Sequence, residues 1–411
     1  MDSTRRDILR ASLAAGIAAS GGLLASRVSM AAAGSGDNRF VFVLLRGALD
    51  GLAAVPPVGD PDYARLRGEL ALSGVASLER LDGLFALHPS LQFLAEQWKS
   101  KQLAVIHAVA TPYRERSHFD AQDVLETGFA RPHAVQSGWL NRALAGMPDR
   151  GGNARNMGVA LGANTPLVMR GPTEVASWSP GRMPDLESDT LQRIAELYAD
   201  DRLLSQRLAD ALEADAIANS AQGDAMGAAG RNDGSAAARN AGAQVEKTAR
   251  ATAEFLSRPD GPRVAVFETT GWDTHANQGA EAGVLGLRLR ALDAGLRGLR
   301  EALGPAWNNT VVLVATEFGR TAAINGTRGT DHGTGAAAFL LGGAVRGGRI
   351  IGDWPGLSAT ALYEGRDLRP TTDMRSVVKS VLHDHMQVSR RLLDESVFPD
   401  SGAAGYLPNL V

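Results

Sequence analysis

Apolar residues in this chain gather into short unbroken runs instead of alternating with polar ones. The first, Arg39-Phe40-Val41-Phe42-Val43-Leu44-Leu45, stops at Arg46-Gly47; the others run from Leu103 to Val109, Arg263 to Phe267 and Thr310 to Ala315. Strands buried on both faces read this way, because neither face of a parallel sheet meets water. A fifth strand is expected from Ala336 to Leu341, closing at Gly342-Gly343. Between the third and fourth runs the period changes. Leu285, Leu287, Leu289, Leu292, Leu296, Leu299 and Leu303 fall mostly three or four residues apart, which predicts a helix from Val284 to Leu303. Strand, loop, helix, strand is a parallel crossover, so the class is α/β, with one large domain over residues 38–411. Residues 189–255 read as a helical insertion. Its Ala/Gly/Asn/Ser stretch from Ala216 to Ala243 has few large apolar residues and reads as a flexible excursion without chemistry. His383 and His385 are expected on the solvated face of a C-terminal helix.

In a parallel sheet, ligands sit beyond the carboxyl ends of the strands, so the residues after each run are where chemistry is sought. After the first comes Gly47-Ala48-Leu49-Asp50-Gly51; after the second, Tyr113-Arg114-Glu115-Arg116-Ser117-His118; after the third, Gly271-Trp272-Asp273-Thr274-His275; after the fourth, Thr316-Glu317-Phe318-Gly319-Arg320. Asp273 and His275 stand two apart in a loop opened by glycine, a spacing that can put a carboxylate and an imidazole on one cation. Asp331-His332 is a second such pair, flanked by glycines. Either pair has an ordinary alternative, an aspartate capping a helix and a histidine in a hydrogen-bonded niche. Ser117 stands before a helical stretch from Phe119 to Glu126, where a hydroxyl is either a cap or a nucleophile favoured by the helix N-terminus. Arg114, Arg116 and Arg320 are candidates for clamping an anion there, against the default of a solvated arginine. His88, His107 and His133 read as structural.

Composition narrows the chemistry. With 411 residues, 44% hydrophobic and 21% charged, and no run of about 20 apolar residues, the chain is neither disordered nor a polytopic membrane protein. It has no cysteine, which excludes disulfides, zinc ribbons, thiolate catalysis and iron-sulfur clusters. A metal would therefore rest on Asp, Glu and His, a donor set that suits zinc, manganese, magnesium or calcium, as one ion or two. The net charge of −3 gives no support for nucleic-acid binding.

The first residues contain Thr4-Arg5-Arg6-Asp7-Ile8-Leu9, a mild Ala/Gly/Leu segment to about Ala25, and Ala31-Ala32-Ala33. This resembles a twin-arginine export signal over residues 1–33, cleaved near Ala33. It implies the twin-arginine translocase as a partner during export, a periplasmic or secreted mature protein, and no stable membrane span in it. Export of folded proteins by this route often follows cofactor loading, which adds a hint of a metal.

The order of these features resembles the alkaline phosphatase and sulfatase superfamily. More closely, Leu45 to Leu52, Ser117-His118-Phe119 with Gln122-Asp123, Gly271 to His275 and Thr316 to Arg320 look like the twin-arginine-exported family of unknown function numbered fifteen hundred and one. The resemblance covers essentially all of the mature chain. It implies a three-layer fold around a mostly parallel sheet and a metal-dependent hydrolase of phosphate or sulfate esters. Carried over residue by residue, Asp50, Asp273, His275, Glu317, Asp331 and His332 would organise metal and Ser117 would be the nucleophile, with Arg116 and Arg320, read above as anion clamps, assisting it. The ligand would be an anionic ester, with a sulfated or phosphorylated polysaccharide as one form. Three departures stand out. Glu317-Phe318 replaces the usual Asp-His, so a nitrogen ligand is missing there; the Asp273-to-His275 spacing is tight; and without cysteine there is no formylglycine. The alternative is a non-catalytic periplasmic binding or assembly protein on the same fold.

Overall fold

The structure, a computed structural model, describes residues 37–72, 74–148, 157–179 and 234–411, with the backbone alone for 234–241. The expected export signal and most of the expected insertion lie outside the described residues. Nine strands form one sheet: β1 (Arg39–Arg46), β2 (Leu103–Ala110), β3 (Gly158–Leu161), β4 (Ala176–Trp178), β5 (Val264–Thr270), β6 (Thr310–Thr316), β7 (Ala336–Leu341), β8 (Arg349–Ile351) and β9 (Thr372–Asp373). Their spatial order is β8-β2-β7-β6-β1-β5-β3-β4, and β9 also pairs with β2. All pairings are parallel except those of β7, which runs against both β2 and β6. The five apolar runs are β1, β2, β5, β6 and β7. The other four strands have four residues or fewer, too short for an apolar run to be read as a strand.

The helices that position the site are α1 (Gly51–Ala54), α2 (Gln92–Lys99), α3 (His118–Thr127), α4 (Trp139–Leu144), α5 (Gly234–Ser257), α6 (Val284–Leu303) and α7 (Met374–Asp384). Successive β1 residues point to opposite faces, and each face finds its own core. Val41, Val43 and Leu45 pack with Phe93 of α2, Phe255 of α5 and the leucines of α6. Phe40, Phe42 and Leu44 pack with Trp139 of α4 and Val377, Val378 and Val381 of α7. The fold is therefore three-layered, helices on a mostly parallel sheet on helices. Phe42 meets the Trp139 ring edge-on at 5.2 Å and is fully buried, so its removal would cost about 3–5 kcal/mol.

The helix expected at Val284–Leu303 has those bounds, and Leu285, Leu289, Leu292, Leu296, Leu299 and Leu303 are its buried stripe. Two expectations are corrected. The excursion read over Ala216–Ala243 is helical from Gly234 onwards, its earlier part lying outside the described residues. His385 is not on a solvated face: it ends α7, is buried, and its Nε2–H donates to the Arg39 carbonyl at 3.0 Å. The ring thereby ties α7 to the start of β1. Among the described residues, no helix is long and apolar enough to cross a membrane.

Candidate metal centre

The carboxyl ends of β1, β2, β5 and β6 lie along one edge of the sheet, and β7, being reversed, begins there. The loops after β2, β5 and β6, and the loop before β7, supply the polar residues. Gly47, just past β1, lets them come together. Its φ is +118°, and a Cβ there would fall 2.7 Å from the Asp273 backbone nitrogen. Any side chain at this position would push the Asp273 loop away from Glu317, to whose Oε1 the Gly47 N–H donates at 2.8 Å.

His118, the first residue of α3, stands at the middle of the cluster with Asp273 and His332. Each of the three offers a ligand atom, and these atoms lie within 4.8 Å of one another. His275 joins them, its Nε2 being 3.0 Å from Asp273 Oδ1 and 2.9 Å from His332 Nε2. The tautomers follow from the other ring nitrogen of each imidazole. Nδ1 of His118 lies 2.8 Å from Glu317 Oε1, Nδ1 of His275 lies 3.1 Å from Asp331 Oδ1, and Nδ1 of His332 lies 3.0 Å from the Arg116 carbonyl. All these partners are oxygens that only accept, so each Nδ1 carries a proton, and a ring that holds no second proton keeps a lone pair on Nε2. The lone pairs therefore turn toward each other and toward the Asp273 carboxylate. Such an arrangement repels itself unless protons or a cation fill it. Buried His118 Nε2 has no hydrogen-bond partner at all. An orphaned nitrogen aimed at a carboxylate and another imidazole fits a metal ion, and the carboxylate–imidazole pairing behind it is how metal-binding histidines are commonly held.

The charges around the cluster act on its donors in both directions. Burial would push Glu317 up, but the hydrogen bonds from His118, Gln122 and Thr316 hold its carboxyl below the usual range. The same Glu317 bond raises His118 against the opposing effect of burial. His332 is lowered, by burial first and then by the charge of His118. Asp273 resists burial through its hydrogen bond and charge pairing with Arg320 and stays below the usual range, while a hydrogen bond from Asn325, seconded by His275, lowers Asp331. The three carboxylates are thus anionic, and His332 is held toward its neutral, lone-pair form.

Of the residues singled out in the sequence, Asp273, His275, Asp331 and His332 are brought together directly, and Glu317 joins through His118. Asp50 is engaged elsewhere. Its Oδ1 caps α1 through Leu52 N and Ala53 N, and its Oδ2 accepts from Arg67 and, at 2.6 Å, from Gln278. Gln278 Oε1 accepts from Thr330 Oγ1, which in turn accepts from Arg320, so Asp50 reaches Asp273 only through a buried chain of partners. Arg320 is itself buried, with Nη1 2.5 Å from Asp273 Oδ1. Arg116 pairs with Glu364 at 2.5 Å and Asp367 at 2.8 Å. Ser117 is the N-cap residue of α3 but makes no cap bond.

Sequence reasoning passed over His118 as a ligand, and with it the nitrogen that Glu317-Phe318 seemed to lack. The imidazole beside Glu317 comes from the start of α3, 199 positions away in the chain. The available signal was the four-residue step from His118 to Gln122, which puts both on one helix face; both touch Glu317 Oε1.

Several solved structures are similar to the chain at low identity. A phosphonate monoester hydrolase of Agrobacterium radiobacter is 11% identical, with 85% of this chain and 74% of that one covered and a TM-score of 0.39. Ps i-CgsB in complex with k-i-k-neocarrahexaose is 14% identical, with 76% and 68% covered and a TM-score of 0.33. The C-terminal periplasmic domain of EcEptC from Escherichia coli, in complex with Zn, is 11% identical, with 75% and 74% covered and a TM-score of 0.33. Comparison with curated proteins finds no match. The profile of one sequence family, described as "Protein of unknown function (DUF1501)", matches residues 37–397, and the chain belongs to that family.

Proposed function

We propose that this protein is an exported, metal-dependent hydrolase of phosphate or sulfate esters. The single observation that carries the reading is the convergence of His118 Nε2, which makes no hydrogen bond and lies 3.5 Å from Asp273 Oδ2, on Asp273 and His332, with His275 beside them. A donor set of imidazoles and one carboxylate suits zinc or another first-row transition metal better than calcium or magnesium. Such an ion would supply Lewis acidity toward an ester oxygen. Among the described residues one such group exists, so one ion is proposed. Ser117 is assigned the attacking hydroxyl. It sits between Arg116, whose carbonyl holds His332, and His118, at the N-terminus of a ten-residue helix where backbone N–H groups favour an incoming anion. Export by the twin-arginine route is proposed from residues 1–33 and is tested separately, by fusing that segment to a reporter and replacing Arg5-Arg6 with lysines.

One observation favours the non-catalytic alternative: Arg116 and Arg320, expected to clamp the anion, are both held by carboxylates. Metal analysis of protein purified without chelator, with Asp273→Ala as control, decides the main point. The expected result is stoichiometric metal in the wild type, little in the variant, and turnover of aryl phosphates or sulfates that Ser117→Ala abolishes. Folded wild-type protein that is metal-free and inactive on both ester classes would refute the proposal. Metal without turnover, and ligand affinity that Ser117→Ala changes, would support the binding protein instead.

A further inference from the structure

A cavity of about 260 Å³ opens at the same edge of the sheet, beyond the ends of β3 and β5 and against α5 and α6. Trp272, one of its lining residues, directly precedes Asp273, so its wall continues into the metal centre within one peptide unit. Arg288 of α6 lines it too. Gly271 makes room for that side chain: its φ is +88°, and a Cβ there would fall 2.8 Å from the Arg288 guanidinium carbon. The Gly271 backbone thus does two things, turning the chain toward Asp273 and admitting a cation beside it.

Among the described residues Arg288 makes no hydrogen bond and no ion pair, although it is half-buried. Glu268, which shares the cavity, is occupied by Arg46 at 2.8 Å. In the larger cavity of about 500 Å³ along α6, Arg250 pairs with Glu246 and Glu301 and Arg297 with Glu96, while Arg290, unpaired among the described residues, is exposed where Arg288 is half-buried. The rest of the small cavity is mixed, with Leu161 and Leu292 on the apolar side and Thr248 and Thr270 on the polar side. A half-buried guanidinium without a partner is poorly placed for stability and well placed for an incoming anion, which it can grip through two parallel N–H bonds.

We propose that this cavity binds an anionic group on the non-reacting part of the substrate, held by Arg288, so that the preferred esters carry a second negative charge such as a carboxylate or sulfate. The word substrate rests on the hydrolase reading; the binding of an anion at Arg288 does not. The volume is below the ~300–1,000 Å³ of pockets that enclose a whole drug-sized ligand, so the site takes one ring-sized portion of it.

The test separates binding from turnover. Affinities of 4-hydroxybenzoate and of phenol are measured by calorimetry on wild type, R288Q and R288K, each as purified and after chelation of metal. The expected result is 4-hydroxybenzoate binding that R288Q weakens about ten- to a hundredfold and R288K weakens less, with phenol binding, metal content and melting temperature unchanged. In parallel, kcat/KM is compared for 4-carboxyphenyl and phenyl esters, both as phosphates and as sulfates. The preference for the carboxylated ester should fall in R288Q by the same factor. Equal 4-hydroxybenzoate affinity in wild type and R288Q, or no binding at millimolar concentration, overturns the assignment. If no ester is turned over but Arg288-dependent binding persists, the hydrolase reading fails and the anion site stands.

Discussion

Replacing Glu317 by glutamine separates the charge of that residue from its packing. Its Oε1 accepts from Gly47 N at 2.8 Å, His118 Nδ1 at 2.8 Å and Gln122 Nε2 at 3.0 Å, and its Oε2 from Thr316 Oγ1 at 2.7 Å. A glutamine can put its oxygen where Oε1 is and keep the first three bonds. Its amide N–H can then donate to Thr316 Oγ1, whose hydroxyl is already 2.8 Å from the Leu45 carbonyl and can give its proton there instead. Every hydrogen bond survives, so E317Q should change stability by about 1 kcal/mol or less. E317A strands three donors in a buried site and should cost about 3–5 kcal/mol. The metal responds differently. His118 in E317Q loses the anion behind its Nδ1, becomes a weaker base, and the affinity of the site for metal should fall about 10- to 100-fold. The assay is competition of a fluorescent chelator for Zn²⁺, with urea unfolding on the same samples. Wild-type metal affinity in E317Q would refute the role given to the Glu317–His118 pair. A stability loss in E317Q as large as in E317A would refute the hydrogen-bond exchange.

Three further outcomes are expected. His107 and His385 are both buried and pushed down to about 4, so the fold holds them neutral. Their contribution is present above the unfolded value of ~6.5 and lost as pH falls toward about 4, approaching about 3 kcal/mol each, and urea unfolding at pH 7, 6 and 5 should show a slope that H385Q reduces by one proton. Asp293 has the opposite sign. Burial raises it to about 6 although it accepts from Phe93 N and Leu94 N, so its contribution is present below about 4 and fades through about 6, and the stability difference between wild type and D293N should shrink from pH 4 to pH 7 by up to about 3 kcal/mol. Phe119 is 85% exposed in the first turn of α3, beside His118. F119A should leave metal content and melting temperature unchanged and lower kcat/KM for aryl esters about three- to tenfold, the worth of one aromatic contact.

The sheet was legible wherever a strand was long and buried on both sides, because a continuous apolar run has few other uses. β3, β4, β8 and β9 escaped, being two to four residues long and recruited by their neighbours. The site was legible as a set of loops and much less as a set of partners. Asp273 with His275 and Asp331 with His332 are local pairs that spacing reveals. His118 gave itself away only to a reader who asked what would sit beside Glu317, since a histidine at a helix start has no local signal that distinguishes a ligand. Asp50 looked like a ligand by position, but its neighbours Leu52 and Ala53 needed a cap, and Arg67 and Gln278 filled what remained. Burial misled at His385, whose polar surroundings in sequence conceal a bond to the other end of the chain.

The middle of the sheet has a consequence for how the protein is made. β1 pairs on one side with β5 and on the other with β6, and neither exists when β1 leaves the ribosome. About 220 residues must follow before the first of these partners is available, which at ~5–20 residues per second leaves this apolar strand waiting for roughly 10–45 s. Non-local pairing of this kind also folds slowly once it can begin. The last ligand, His332, is translated later still, so a metal ion has no completed site to enter until nearly the whole domain has been synthesised and closed. During that interval Phe40 to Leu45 is a segment for a chaperone to cover, and a stalled or truncated chain would expose it.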